Sequence, residues 1–150
     1  MAQINRDRIA GMNIHYLYYS LPYFLDAQQK LGVKTIELWA GAPHFFGQYV
    51  LLGLYKSTAL EVESRGMQVK ILTPENCTYQ YQFAACGSRS FMKKALHILP
   101  IALKAGEELG IETMAINSGW GYWNEDREEA WKRSREMLSR LADEAAKTQY

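Results

Sequence analysis

The side chains best placed for chemistry follow one short apolar strand. Residues 35–39 read Thr-Ile-Glu-Leu-Trp, which places Glu37 between apolar neighbours, and Gly41, Pro43 and His44 come directly after. In α/β proteins, sites usually lie where parallel strands end in glycine, proline and polar side chains. A buried carboxylate needs a partner. For Glu37 that partner could be a ligand, or a hydrogen bond or salt bridge that only stabilises the fold, and both interpretations stay open.

Aromatic residues are the unusual part of the composition. The chain has ten Tyr and four Trp, and they cluster at positions 16–23, 79–83 and 120–123, mostly just after predicted strands. Tyr and Trp combine an apolar face with a hydrogen-bonding tip, which suits a cleft that holds a polyhydroxylated ligand. The rim of a core or a subunit interface would use the same residue types. Composition alone therefore does not separate these uses.

Hydrophobic patterning predicts four strand–helix units that would position these residues. The predicted strands are residues 9–17, 35–39, 68–73 and 112–117. The predicted helices are residues 21–31, 49–65 and 89–109, and a last helix that begins with Asn124 as its N-cap. Pro100 is expected to kink the third helix because its ring removes one backbone hydrogen bond. The predicted apolar stripes include Leu54, Leu60 and Val62 in the second helix, Ala95, Leu99, Ala102 and Ala105 in the third, and Trp131, Leu138 and Leu141 in the fourth.

Alternating strands and helices predict an α/β fold with a parallel sheet and right-handed crossovers, in one domain over residues 1–150. Two closures fit this order: an open doubly wound sheet, or half of a (β/α)8 barrel. A whole barrel typically needs about 250 residues. Length therefore favours the open sheet, whereas the residues at the strand ends favour the barrel.

Charge and cysteine content exclude several classes of protein. Lys plus Arg is 17 and Asp plus Glu is 16, so no overall field would attract nucleic acid or an acidic membrane. Cys77 and Cys86 form no CxxC pair, which indicates a reducing compartment and no structural zinc. No signal-type run and no long apolar stretch is found, so we expect a cytoplasmic protein. The glycines at 119 and 121 do not form a dinucleotide-binding fingerprint.

Four segments in order carry a resemblance to a known family. They are Gly11 to Tyr16, then residues 31–46 (Leu-Gly-Val-Lys-Thr-Ile-Glu-Leu-Trp-Ala-Gly-Ala-Pro-His-Phe-Phe), then Leu-Thr-Pro-Glu-Asn at 72–76, and Ser-Gly-Trp-Gly-Tyr-Trp at 118–123. Their combination resembles the sugar phosphate isomerase/epimerase superfamily of xylose isomerase-like barrels. It is most similar to the ketose 3-epimerases of the fructoselysine 3-epimerase type. The resemblance covers the N-terminal half of the family's length, about four βα units of a TIM barrel.

The resemblance implies a parent enzyme that moves a proton at a sugar carbon through an enediolate-type intermediate. In the family a divalent metal, often manganese, is held by two Glu, one Asp and one His from strands five to eight. By the resemblance, those ligands would lie beyond Tyr150. We therefore expect no catalytic residue and no metal ligand in this chain, and no epimerase activity of the 150-residue chain alone.

The same resemblance implies a substrate-binding wall for a sugar or sugar phosphate. The residues that match by position are His15, Tyr16, Glu37, Trp39, His44, Thr73, Glu75, Asn76, and either Trp120 or Trp123. His44 could instead cap a turn, and His15 could be a satisfied histidine near the core. The two Trp residues could instead pack between the last helices.

Two other functions remain open from the sequence. One is a stand-alone α/β module that binds a small polyol or a partner peptide without catalysis. The other is a degenerate half-barrel with a regulatory or interaction role. A half-barrel would expose its two outer sheet edges, so we also expect a homo-oligomer that covers them.

Overall fold

The computed structural model describes residues 5–45, 54–75, 89–119 and 121–148. Its strands form one parallel sheet in the order β1-β2-β3-β4. They are β1 Ala10–Met12, β2 Thr35–Ala40, β3 Gln68–Pro74 and β4 Thr113–Met114. The helices are α1 Leu21–Lys30, α2 Leu54–Glu63, α3 Arg89–Glu108 and α4 Arg127–Ala145. The predicted parallel α/β class is confirmed.

Helices α1, α2 and α3 pack against the same face of the sheet. Ile36 lies in a buried cluster with residues of α1 and α2, and Leu38 and Leu72 lie in a second cluster with residues of α3. Successive strand residues point to opposite faces, so Glu37 and Thr73 point away from these helices, and both are half-buried. A doubly wound sheet has helices on both faces. The described part of the chain therefore has the layering of a barrel segment.

The pairing of β2 with β3 contains one irregularity that sets the register at the site. Ile36 is opposite Val69, but Glu37 is opposite Ile71, so β3 carries one extra residue between them. Beyond this bulge, Trp39 is opposite Thr73. An extra residue re-aims the side chains that follow it, and here the shift places Glu37 and Thr73 on one face within contact distance.

Two predicted strands are shorter in the structure. The first ends at Met12 rather than near residue 17, because Asn13–Tyr16 forms a 3-10 turn. The side chain of Asn13 bonds the backbone of Trp39, which ends ordinary strand pairing there. The fourth strand is only Thr113–Met114, although the amide of Ala115 still donates to the carbonyl of Leu72 at 2.9 Å.

Two predictions for the last helix differ from the structure: its N-cap and the position of Trp131. The last helix is capped by Asp126, not Asn124, because the carboxylate of Asp126 accepts from the amides of Glu128 and Glu129 at 2.8 and 3.2 Å. In the same helix Trp131 is 57% exposed. Leu141 is buried as predicted, and the other buried positions are Ala130, Ser134 and Met137, which the prediction did not include.

Helix α2 shows a similar error, whereas α3 follows the prediction. Leu60 is 65% exposed, and the buried positions of α2 are Thr58 and Val62. The hydroxyl of Thr58 donates to the carbonyl of Leu54 at 3.1 Å, which satisfies it inside the helix layer. Four residues of the predicted stripe are buried, Ala95, Leu99, Ala102 and Ala105, whereas Leu109, also predicted, is half-buried. Pro100 lies inside α3, and its predicted kink stays a prediction.

Across the described residues, no helix is both long and apolar enough to cross a membrane. The two cysteines, at 77 and 86, fall outside the described ranges.

Candidate functional site

The carboxyl ends of β1, β2 and β3 meet at one edge of the sheet. The pairing of Met12 with Glu37, and of Trp39 with Thr73, brings the ends of the three strands side by side. Parallel strands present their carboxyl ends together, and α/β proteins bind ligands there. This strand-end cluster, which we define as Asn13, Glu37, Trp39, His44 and Thr73, is the candidate site.

Glu37 and Thr73 are joined directly. The Thr73 hydroxyl donates to Oε1 of Glu37 at 2.7 Å, and both residues are half-buried. A hydrogen bond within the protein was one of the two alternatives that the sequence allowed for the partner of Glu37. A carboxylate has several acceptor positions, so the bond leaves Glu37 with capacity for the hydroxyl groups of a ligand.

Trp39 lies under the site as a nearly buried ring. It is 4% exposed, and its Nε1 is buried without a hydrogen-bond partner in the part of the chain that the structure describes. The indole covers Gly41 so closely that a Cβ there would meet indole carbons at 2.0 and 2.1 Å. Gly41 is therefore required for the ring to occupy this position.

Asn13 is a residue that the sequence analysis missed. It is fully buried, it accepts a hydrogen bond from the amide of Trp39 at 2.7 Å, and it donates to the carbonyl of Trp39 at 3.0 Å. Its Nδ2 also donates to Nδ1 of His44 at 3.2 Å. A signal was present: an amide between Met12 and Ile14, inside an apolar run, must be satisfied if it is buried.

His44 uses both ring nitrogens inside the protein. Nδ1 accepts from Asn13, and Nε2 lies 2.6 Å from the carbonyl oxygen of Tyr19. The residue follows a turn that contains the cis peptide Ala42–Pro43. These contacts join His44 to the loop after β1 and not to its own turn. A ligand contact through either nitrogen would require one of these bonds to break.

Of the tyrosines after β1, Tyr16 is half-buried and the others are exposed. Tyr16 packs edge-on against Phe24, with ring centroids 5.2 Å apart, and against the cluster beneath α1. Tyr19 and Tyr23 stack at 4.8 Å with an interplanar angle of 13°, and both are exposed. Tyr18 is almost fully exposed. The position of Tyr16 is that of a core residue, so its contact with a ligand stays a prediction.

The remaining predicted site residues lie at the ends of β3 and β4. Glu75 is buried directly after β3, and His15 is exposed in the turn after β1. Trp123 is fully exposed and lines a cleft of about 720 Å³ between the loop after β4 and the start of α4. The exposure of Trp123 does not match the packing alternative. Asn76 and Trp120 fall outside the described residues.

The divalent metal that the resemblance implies does not fit these residues. Within residues 5–45, 54–75, 89–119 and 121–148, no group of three His, Cys, Asp or Glu side chains could hold a metal ion. His44 has both nitrogens engaged, and Glu37 is paired with Thr73. Carboxylate and imidazole ligands must converge on one point to bind such an ion, and here they do not.

The fold and the site together define an α/β-barrel segment with a polar and aromatic cluster at its strand ends. The comparisons with known proteins agree with that class. The chain is 26% identical over 122 residues to fructoselysine 3-epimerase from Escherichia coli O157:H7 and to the same enzyme from Shigella flexneri. The match covers 81% of this chain and 44% of each relative, so the matched residues span less than half the length of the curated relatives.

Solved structures share the fold at low sequence identity. D-psicose 3-epimerase from Clostridium cellulolyticum H10, solved with D-tagatose, gives a TM-score of 0.63 at 14% identity over 85% of this chain and 44% of that one. A provisionally assigned xylose isomerase from Rhodospirillum rubrum gives 0.70 at 14% identity over 93% of this chain and 50% of that one. No protein-family model matches the chain. The chain is thus related to sugar epimerases and isomerases of the xylose isomerase-like fold, as the sequence predicts.

Proposed function

We propose that residues 1–150 form one half of a sugar epimerase or isomerase barrel and supply a wall of its substrate site. The observation that carries this proposal is the Glu37–Thr73 pair, which joins the middle of β2 to the carboxyl end of β3 on the face that α1, α2 and α3 leave uncovered. In a closed barrel that face is the interior, and the strand ends form the mouth of the active site. The relatedness to fructoselysine 3-epimerase supports the same placement.

The chemistry of this wall suits a ketose. The acceptor positions of Glu37 can take sugar hydroxyl groups, and the Thr73 hydroxyl can accept a hydrogen bond while it donates to Glu37. Trp39 provides an apolar floor, and the exposed indole of Trp123 provides a face for the C–H side of a sugar. Small-molecule sites combine a few placed polar groups with apolar surface in this way.

The reaction itself is assigned to the rest of the barrel. The divalent metal and the acid and base that move the proton are proposed to come from residues outside this chain, because the resemblance assigns the metal ligands to strands five to eight. A metal in such an enzyme would polarise neighbouring sugar oxygens. The chain alone is accordingly proposed to bind ketoses without epimerising them, and to pair with another copy through its outer strands. We propose a cytoplasmic location.

Ligand binding and isotope exchange test this function separately. Saturation-transfer NMR of the chain with D-fructose, D-psicose and D-tagatose should detect binding with dissociation constants of about 1 mM or weaker. The acyclic hexitol D-sorbitol is the matched control. Mass spectrometry of the same ketoses after incubation in D₂O with Mn²⁺ should find no deuterium at carbon. The function proposed here would be wrong if no ketose bound better than sorbitol.

The alternative function, a polyol-binding module without catalysis, also predicts ketose binding, but it predicts binding of the polyol sorbitol as well. The two proposed functions make different predictions for a longer protein, expressed from the reading frame that surrounds these residues. Deuterium uptake at a ketose carbon by that longer protein would support the enzyme, and its absence would favour the binding module.

A further inference from the structure

We infer that Asn13 and His44 form a positioning pair that fastens the loop after β1 to the carboxyl end of β2. Asn13 is fully buried and bonds both the amide and the carbonyl of Trp39, so its side chain is fixed on β2. Its remaining N–H donates to Nδ1 of His44. The other nitrogen of His44 bonds the carbonyl of Tyr19, in the loop that leads into α1.

The partners define the tautomer of His44. The Nδ2 group of Asn13 can only donate, because its Oδ1 accepts from the Trp39 amide, so Nδ1 of His44 must be the acceptor. The carbonyl of Tyr19 can only accept, so Nε2 of His44 must carry the hydrogen. The ring is therefore a neutral imidazole with a fixed direction of hydrogen bonding, from Asn13 through His44 to Tyr19.

The loop that this chain of bonds holds is short and bears exposed aromatic rings. Its amide at Tyr19 donates to the carbonyl of Tyr16 at 2.9 Å, and Ser20 caps α1 with a contact to the amide of Tyr23 at 3.4 Å. Between these anchors, Tyr19 stacks on Tyr23 while Tyr18 extends into solvent. Tyr23 belongs to α1, and the bond from His44 ties the Tyr19 end of this stack to the turn after β2.

The effect of this pair on ketose binding rests on the function proposed above. The hydrogen bonds from Asn13 through His44 to Tyr19 do not depend on that function. Asn13 and His44 have their polar groups directed at protein atoms, so neither is expected to touch the sugar. They would instead set how closely the Tyr19–Tyr23 stack approaches the Glu37 end of β2. In this role they are positioning residues, and their loss should weaken ketose binding while the Glu37–Thr73 pair remains intact.

Three variants test this inference. His44→Ala removes the link to Tyr19 but leaves Asn13 bonded to Trp39, so the fold should persist. We expect amide hydrogen exchange at Tyr19 to accelerate by about tenfold, since one net hydrogen bond is lost, and the Tyr19–Tyr23 ring contacts seen by NMR to weaken. His44→Gln, which keeps one acceptor and one donor, should restore most of the protection. His15→Ala, on the exposed histidine of the 3-10 turn after β1, is the matched control and should change neither signal.

Imidazole ¹⁵N spectra provide a readout that a general loss of stability would not move. His44 should show the Nε2–H tautomer in the wild type, and in Asn13→Ala the Nδ1 resonance should shift because that nitrogen loses its hydrogen-bond donor. Unchanged Tyr19 exchange in His44→Ala, or an Nδ1–H tautomer in the wild type, would overturn the inference. Normal loop signals together with no ketose binding would instead contradict the proposed function and leave the positioning pair standing.

Discussion

The Thr73 hydroxyl donates a 2.7 Å hydrogen bond to the carboxylate of Glu37 across the boundary between β2 and β3. The bond exists because of the bulge in β3, which brings Thr73 opposite Trp39 and onto the same face as Glu37. It joins two strands at the edge where the proposed sugar site lies. The pair therefore links the stability of the sheet to the geometry of the site.

Replacement of Thr73 should show the contribution of this bond. Thr73→Val removes the donor with little change in shape, and the free energy of unfolding should fall by about 1 kcal/mol because a half-buried carboxylate loses its partner. Thr73→Ser keeps the hydroxyl and is the control. Urea denaturation measures both. Equal losses in the two variants would show that packing of the Thr methyl group, and not the hydrogen bond, is what matters.

Gly41 should tolerate no side chain while Trp39 keeps its position. A Cβ at this residue would meet the indole at 2.0 Å, so Gly41→Ala should lower the free energy of unfolding by about 1–3 kcal/mol, in the range of overpacked sites. The displaced indole should also change the tryptophan fluorescence spectrum.

Gly66→Ala is the matched control for that change. Gly66 has φ of +70° with open space around its Cα, so alanine there costs backbone strain alone. It should lower stability without altering the tryptophan spectrum. An unaltered spectrum in Gly41→Ala would contradict the close packing of Trp39 on Gly41.

The outer helices carry a contact that responds to alkaline pH. The Tyr55 hydroxyl donates to the carboxylate of Glu108 at 2.5 Å, joining α2 to α3, and this hydrogen bond raises the pKa of Tyr55 above its ordinary value of 10.0. Because the folded-state pKa is higher than the unfolded one, the stabilisation is complete below pH 10 and is lost as the pH rises through the folded-state pKa.

Tyr55→Phe should therefore flatten the alkaline end of the stability profile. The difference in unfolding free energy between wild type and variant should be constant below pH 10 and shrink above it. Urea midpoints measured at several pH values between neutral and alkaline would show this. A difference that stayed constant across the whole range would mean that the hydrogen bond does not form in solution.

Much of the fold follows from patterns that are local in the sequence. The apolar strand at 35–39 and most of the buried stripe of α3 are predicted from such patterns and are observed. The class follows because alternating strands and helices leave few ways to pair strands. Which residues of α2 and α4 are buried cannot be predicted from these patterns alone. Leu60 and Trp131 are apolar but exposed, whereas the polar residues Thr58 and Ser134 are buried.

The site was predictable in part. The strand-end positions of Glu37 and His44 follow from residue type and the parallel sheet. The role of Asn13 depends on contacts 26 and 31 residues away along the chain, with Trp39 and His44. No local pattern encodes such partners. The bulge that brings Thr73 to Glu37 likewise depends on pairing between strands and not on either strand alone.

Trp123 should affect binding but not folding. Its side chain is fully exposed, so Trp123→Ala should change the free energy of unfolding by less than about 0.5 kcal/mol. Under the proposed function, the same variant should weaken binding of D-fructose several-fold, because an aromatic face for the sugar is lost. Leu60→Ala, at an exposed position on α2, is the control and should change neither quantity. Unchanged fructose binding in Trp123→Ala would remove this residue from the proposed wall.

The affinity of the chain for D-fructose, with and without the Glu37 carboxylate, tests the central claim most directly. Glu37→Gln keeps the shape of the side chain but removes its charge, and Glu112→Gln is the control on an exposed acid at the opposite, amino-terminal end of β4. If Glu37 lines the sugar site, NMR titration should show a dissociation constant about tenfold higher in Glu37→Gln, in the range of a lost hydrogen bond to a charged group, and no change in Glu112→Gln. Equal dissociation constants for Glu37→Gln and the wild type would contradict the account.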